Sequence, residues 1–226
     1  EMLLNGAFSP LKGFISSSDY ECVLEHNRLL DGTIWPMPIT LDVSKEFAKN
    51  IEVGQKIVLR DLEGLAISIL TVEDKWEPDL LKEAKLVYGT TDKTHPGVNY
   101  LLNVSGKKYI GGKLEGLEYP KHYDYQLDRH TPIELREIFN DMGWHKIVAF
   151  QTRNPMHRAH KEIVTKACNE IGGNILIHPV VGMTKPGDVD HFTRVRCYKK
   201  IMNKFPKGFA KLSLLQLAMR MGGPRE

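Results

Sequence analysis

The sequence predicts an α/β domain with a parallel sheet, preceded by a β-rich module, and three observations carry that prediction. From Thr131 to Glu226, short apolar segments alternate with longer segments of helical spacing, the pattern of strands joined by crossover helices. Before residue 130, strand-like segments are separated by tight turns, as in a small barrel or twisted sheet. Charge divides the chain at the same place. Residues 131–226 hold 16 Lys and Arg against 8 Asp and Glu, a balance of +8, which leaves 15 against 20, or −5, for residues 1–130. The basic C-terminal part is the expected binder of anions.

Composition excludes several classes. With 42% hydrophobic and 26% charged residues among 226, the chain reads as an ordinary globular protein. No apolar run approaches the roughly 18 residues of a membrane span, and Glu1 to Gly6 lack the basic start of a secretory signal. Cys22, Cys168 and Cys197 are odd in number and far apart. They suit neither a disulfide framework nor a zinc site, so buried thiols in a reducing cytoplasm are expected. Basic residues are not interleaved with aromatics as a single-strand platform requires, and nucleic acid is not an expected partner.

The elements follow in order. Ser18 and Glu21 have capping-box spacing before a helix running to about Asn27. Trp35 to Val43 reads as a strand entered through prolines. Lys56–Arg60 and Leu65–Val72 flank Asp61-Leu62-Glu63-Gly64, a hairpin turn. Pro78 to about Val87 has helical spacing with proline near its start. Gly111-Gly112 through Leu127 is poorly periodic and is the predicted linker. Thr131, Pro132 and Glu134 supply a cap, a first-position proline and the third-position glutamate of the next helix, which Gly143 should end. A strand over Lys146–Phe150, a helix from Pro155 to about Glu170, a strand over Ile175–His178, a helix over Phe192–Met202 and a strand over Leu212–Leu215 complete the series.

In parallel sheets, ligands sit at the carboxyl ends of the strands. That places Gln151-Thr152-Arg153-Asn154-Pro155-Met156-His157-Arg158-Ala159-His160 where a site belongs. Gln151 to Asn154 are expected to form the turn, with Asn154 as N-cap and Pro155 as first helical residue. Free N–H groups and the positive end of the helix dipole then face an anion. Arg153 adds a planar fork suited to a tetrahedral oxyanion, and His157 and His160, three residues apart, share one helix face. A zinc reading needs a third ligand that no neighbouring residue supplies, so no protein-bound metal is expected. No nucleophile or general base stands out, which suits attack by an acceptor that is already ionised.

His-x-x-His at a helix start resembles the device with which nucleotidylyltransferases bind phosphate oxygens as charge builds at the α-phosphorus. The decapeptide as a whole is similar to the signature of the ATP-sulfurylase (sulfate adenylyltransferase) family. The likeness continues in Gly6-Ala7-Phe8-Ser9-Pro10-Leu11-Lys12-Gly13-Phe14, in Asp31 to Leu41, in Gly89-Thr90-Thr91-Asp92, in Val181-Gly182-Met183-Thr184-Lys185, and in Ala218 to Glu226. It covers essentially the whole chain in order.

That resemblance implies a PUA-like β-rich domain over residues 1–130, linker included. It implies the N-terminal part of a Rossmann-like nucleotidylyltransferase catalytic domain, its parallel sheet incomplete, over residues 131–226. It implies a cytoplasmic enzyme converting ATP, with Mg2+ on its phosphates, and sulfate into adenosine 5′-phosphosulfate and pyrophosphate. Gln151 and Arg153 would bind sulfate. Gln151, Thr152, Arg153, Asn154, His157 and His160 would bind ATP, and Thr152, Arg153, Asn154, His157 and His160 would be catalytic. A homodimer is the implied assembly. Family members continue past Gly-Pro-Arg-Glu into a Gly-Arg-Asp-His segment that helps hold the nucleotide, so the 226 residues read as a truncated piece with weak or absent activity of its own. A different acceptor for the same His-x-x-His chemistry, or an anion-binding protein without catalysis, are the competing readings. Thr184 to Asp188 either line the site or form a structural loop, and Arg225 either reaches the anions or packs elsewhere.

Overall fold

The computed structural model describes residues 1–182, 187–222 and 225. The chain divides into two units, one of Glu1–Lys121 with Arg220–Glu226 and one of His122–Met219.

In the first unit the described elements run β1 (Gly13–Phe14), α1 (Ser17–His26), β2 (Leu41–Val43), α2 (Lys45–Lys49), β3 (Lys56–Arg60), β4 (Ala66–Trp76), α3 (Leu80–Tyr88), α4 (Pro96–Asn99) and β5 (Lys108–Gly116). Its sheet is antiparallel in the order β1-β5-β4-β3, with β2 also paired to β5. The hairpin of β3 and β4 turns where the sequence predicts, with Asp61 Oδ1 accepting from the N–H groups of Glu63 and Leu65 at 3.0 and 2.9 Å.

Four expectations for this unit are corrected. The cap of α1 is Ser16 rather than Ser18: its hydroxyl accepts from Asp19 N–H at 3.1 Å, and the preceding Ile15 N–H is committed to Ile39 O. Of Trp35–Val43 only Leu41–Val43 pair as strand, because Pro36 and Pro38 have no N–H to give a ladder. Pro78 lies one residue ahead of the cap of α3, which is Asp79, accepting from Leu81 and Lys82 N–H at 3.1 and 3.0 Å. Gly111 and Gly112 are not linker. They sit in β5, where a side chain on Gly112 would lie 2.0 Å from Thr71 O and one on Gly111 2.4 Å from Ile15 O. Glycine is what lets β1 and β4 close on this strand.

Two further features hold the unit. Glu83, 2% exposed, accepts the hydroxyls of Tyr20 at 3.0 Å and Tyr109 at 2.9 Å, and burial pushes its carboxyl pKa up. Arg220 donates to Pro38 O at 2.8 Å, and Arg225 to Leu24 O at 3.1 Å and Val23 O at 3.5 Å. Arg225 thus bonds backbone carbonyls of the last turns of α1, a favourable place for a cation.

The second unit contains α5 (Pro132–Asp141), β6 (Ile147–Thr152), α6 (Arg158–Ile171), β7 (Asn174–Pro179), α7 (His191–Met202) and β8 (Ala210–Leu212). Its three strands are parallel in the order β6-β7-β8. The capping box of Thr131 and Glu134 forms as predicted, and Gly143 follows the helix at φ +68°. Val164, Cys168, Ile175, Ile177, Val195, Tyr198, Leu212 and Leu214 form its core. Cys168 is fully buried, Cys22 and Cys197 are half-buried, and all three are free.

Here too the boundaries shift. The first strand runs to Thr152, not Phe150, and the last pairs only to Leu212, with an isolated bridge from Leu215 to Val180. The helix after the first strand begins at Arg158 with His157 as N-cap, not at Pro155 with Asn154. Asn154 is occupied: its N–H goes to Thr152 Oγ1 at 3.1 Å and its carbonyl accepts from Tyr198 at 2.5 Å. Met156, 8% exposed, joins the core and draws the chain inward before the helix starts.

Two outcomes are expected. Gly112→Ala should destabilise the protein by about 3 kcal/mol or more, because the new methyl meets backbone rather than a movable side chain; chemical denaturation measures it. His178, in β7, has its pKa pushed down from 6.5 to about 4 by burial and by the nearby His130. The folded protein therefore binds fewer protons than the unfolded chain between those values. Stability should be full above pH 6.5 and fall as the pH drops toward 4, and His178→Asn should flatten that fall in melts across the window.

Candidate active site

The parallel ladder of β6 and β7 sets Gln151 opposite His178 and Thr152 opposite Pro179, one pairing step from the carboxyl edge of the sheet. Val180 N–H donates to Thr152 O at 2.8 Å, the last backbone bond before the turn. Gln151 and Thr152 are therefore the final strand residues, Arg153 and Asn154 make the turn, His157 caps α6, and His160 is its third residue. All six predicted site residues fall within this one strand–turn–helix passage.

The histidine rings stack, with centroids 3.7 Å apart and planes at 26°, although His157 is an extended N-cap outside the helix rather than a residue of its first turn. His160 is half-buried against Phe150, ring centroids 5.4 Å apart. Burial first, and the neighbouring His157 second, hold the His160 pKa below its ordinary value, so its ring is neutral at pH 7. Its Nδ1 faces the His157 N–H at 3.5 Å. In that arrangement Nδ1 is the acceptor and the ring proton resides on Nε2, a donor for a ligand oxygen. His157 is exposed.

Arg153 is not held by backbone alone. Its Nη1 contacts both carboxylate oxygens of Asp188, at 2.8 and 2.6 Å, and the two side chains are only 18% and 7% exposed. This ion pair engages one of the three guanidinium nitrogens, so the fork expected for an oxyanion is anchored at its edge. Asp188 ends the stretch Thr184–Asp188; Thr184, Lys185 and Pro186, with Met183, lie outside the described residues, as do Gly223, Pro224 and Glu226.

Beneath the turn are two residues the sequence reading did not single out. Arg194, 2% exposed, sends Nη1 to Arg153 O at 3.1 Å and to Val180 O at 2.6 Å. One turn later on α7, the fully buried Tyr198 donates to Asn154 O, and burial raises its pKa to about 12. The signal for both was in the pattern: Arg194 is an arginine on the same stripe as Val195, Tyr198, Ile201 and Met202, where a solvated cation does not belong. Among the described residues, no three His, Cys, Asp or Glu side chains gather as a metal site, and no helix is long and apolar enough to cross a membrane.

With this geometry in place, comparison with known proteins is direct. Residues 1–119 match the PUA-like domain model and residues 127–226 the ATP-sulfurylase model. The chain is 53% identical to a sulfate adenylyltransferase of Gibberella zeae, 51% to one of Schizosaccharomyces pombe and 52% to one of Kluyveromyces lactis. Each match covers 100% of the chain but only 40%, 46% and 45% of those relatives. A solved structure described as a hexameric APS kinase from Thiobacillus denitrificans is 34% identical, with a TM-score of 0.77 over 96% of this chain and 39% of that one. Residues 1–119 thus belong to the PUA-like domain family and residues 127–226 carry an ATP-sulfurylase domain, in a chain that spans less than half the length of the sulfate adenylyltransferases it matches.

Proposed function

We propose that the protein adenylylates sulfate: ATP and sulfate give adenosine 5′-phosphosulfate and pyrophosphate. One observation carries the reading, the stacked His157 and His160 at the start of α6 beside Arg153 at the carboxyl end of β6. A sulfate oxygen attacks the α-phosphorus, the new bond joins that oxygen to phosphorus, and the bond to the bridging oxygen breaks to release pyrophosphate. Sulfate is fully ionised at neutral pH, so no base need remove a proton, and the site has to position and neutralise charge. Gln151 and Arg153 bind the sulfate. Gln151, Thr152, Arg153 and Asn154 hold the nucleotide phosphates, and His157 and His160 donate to the oxygens on which negative charge grows. Magnesium enters with the nucleotide as MgATP. The functional division is residues 1–130 and 131–226, the setting is the cytoplasm, and the assembly is a homodimer; sedimentation distinguishes it from a hexamer like that described for the T. denitrificans protein.

Sulfate-dependent exchange of labelled pyrophosphate into ATP by the full-length protein tests the reaction. His157→Ala and His160→Ala should each lower turnover about 100-fold, the usual loss for one oxyanion donor, with unchanged melting temperatures. Exchange that needs a different acceptor would transfer the same chemistry to another nucleotidylyltransferase reaction.

A further inference from the structure

We propose that α7 and Asp188, three residues ahead of it, form a positioning grip on the anion-binding turn, with Arg194 as its centre. Arg194 takes the carbonyls of Arg153 and Val180, Tyr198 takes the carbonyl of Asn154, and Asp188 takes the guanidinium of Arg153. Three side chains from one segment thus hold the turn by both its backbone and its key side chain.

The chemistry gives this grip a purpose beyond packing. A buried cation is normally paired with a carboxylate, but Arg194 bonds two carbonyl oxygens and the Tyr198 hydroxyl, and its buried Nε has no partner among the described residues. Its charge is therefore directed at the turn rather than neutralised beside it. With the carbonyls of residues 153, 154 and 180 drawn toward α7, their negative ends point away from the face on which an oxyanion must bind. A turn whose carbonyls were free to rotate would present one of them to the anion and repel it. Arg194 thereby preorganises the site and adds positive potential to it without touching the ligand. Asp188 fixes where the Arg153 fork points.

The inference rests on the sulfate-adenylylating reading, and its test separates the two. In the full-length protein, Arg194→Met, Arg194→Lys and Tyr198→Phe are compared for the KM of sulfate, the KM of MgATP, kcat and melting temperature. Arg194→Met should raise the sulfate KM at least about tenfold, the scale of one lost hydrogen bond to a charged group. The MgATP KM should change less, and Arg194→Lys should recover part of the loss. Tyr198→Phe removes a single hydroxyl, so it decides the matter if Arg194→Met does not fold; it should raise the sulfate KM a few-fold. Unchanged sulfate KM in folded Arg194→Met, or in Tyr198→Phe if the former is unfolded, would overturn the grip. If the unmodified protein shows no sulfate-dependent exchange, the functional reading falls instead. Calorimetric binding of inorganic pyrophosphate to the same variants then judges the grip: weaker binding supports it and equal affinity overturns it.

Discussion

Past the last rung of a parallel ladder, a chain must still find partners for its backbone polar groups, because burying them unpaired is expensive. After Val180 N–H meets Thr152 O, the carbonyls of Arg153 and Asn154 have no strand to pair with. The fold answers with side chains of α7. Arg194 and Tyr198, one helical turn apart, take those two carbonyls, and Arg194 also takes that of Val180 at the end of the neighbouring strand. The position of the whole site follows from this constraint. Asn154 is used up as a turn residue, Met156 is buried, and the helix can begin only at Arg158.

Starting three residues later than the sequence suggests changes how the site is built. Had Asn154 capped the helix, both histidines would have lain inside its first two turns. With His157 at the cap and His160 at the third position, each side chain instead meets the other residue's backbone N–H in a reciprocal capping box, and the rings stack. A half-buried neutral imidazole and a helix N-terminus favour bound negative charge by complementary means, one through a directed donor and the other through the dipole. Arg153 supplies the full positive charge, tethered by Asp188.

Much of this arrangement was legible in the residues. Thr131, Pro132 and Glu134 announce their helix by local chemistry alone, and Asp61 to Gly64 announce their turn. The His-x-x-His spacing correctly places both rings together. Legibility failed where tertiary contacts overrode local preference. Gly111 and Gly112 look like a linker because glycine pairs usually mark loops, whereas here they admit neighbouring backbones into a strand. Asn154 and Pro155 look like a cap and a first helical residue, but a tyrosine from a helix more than forty residues away claims the asparagine. Asp188, Arg194 and Tyr198 act through long-range contacts that no short motif encodes. A polar residue interrupting an apolar stripe was the one local sign that Arg194 had work in the interior.

The most direct test of the account is a crystal structure of the full-length protein with adenosine 5′-phosphosulfate bound. The account predicts sulfate oxygens within hydrogen-bonding distance of Gln151 and Arg153 and α-phosphate oxygens facing His157 and His160. It also predicts that the carbonyls of Arg153 and Asn154 stay on Arg194 and Tyr198. A ligand seated away from residues 151–160, or a turn whose carbonyls swing from α7 toward the bound anion, would contradict it.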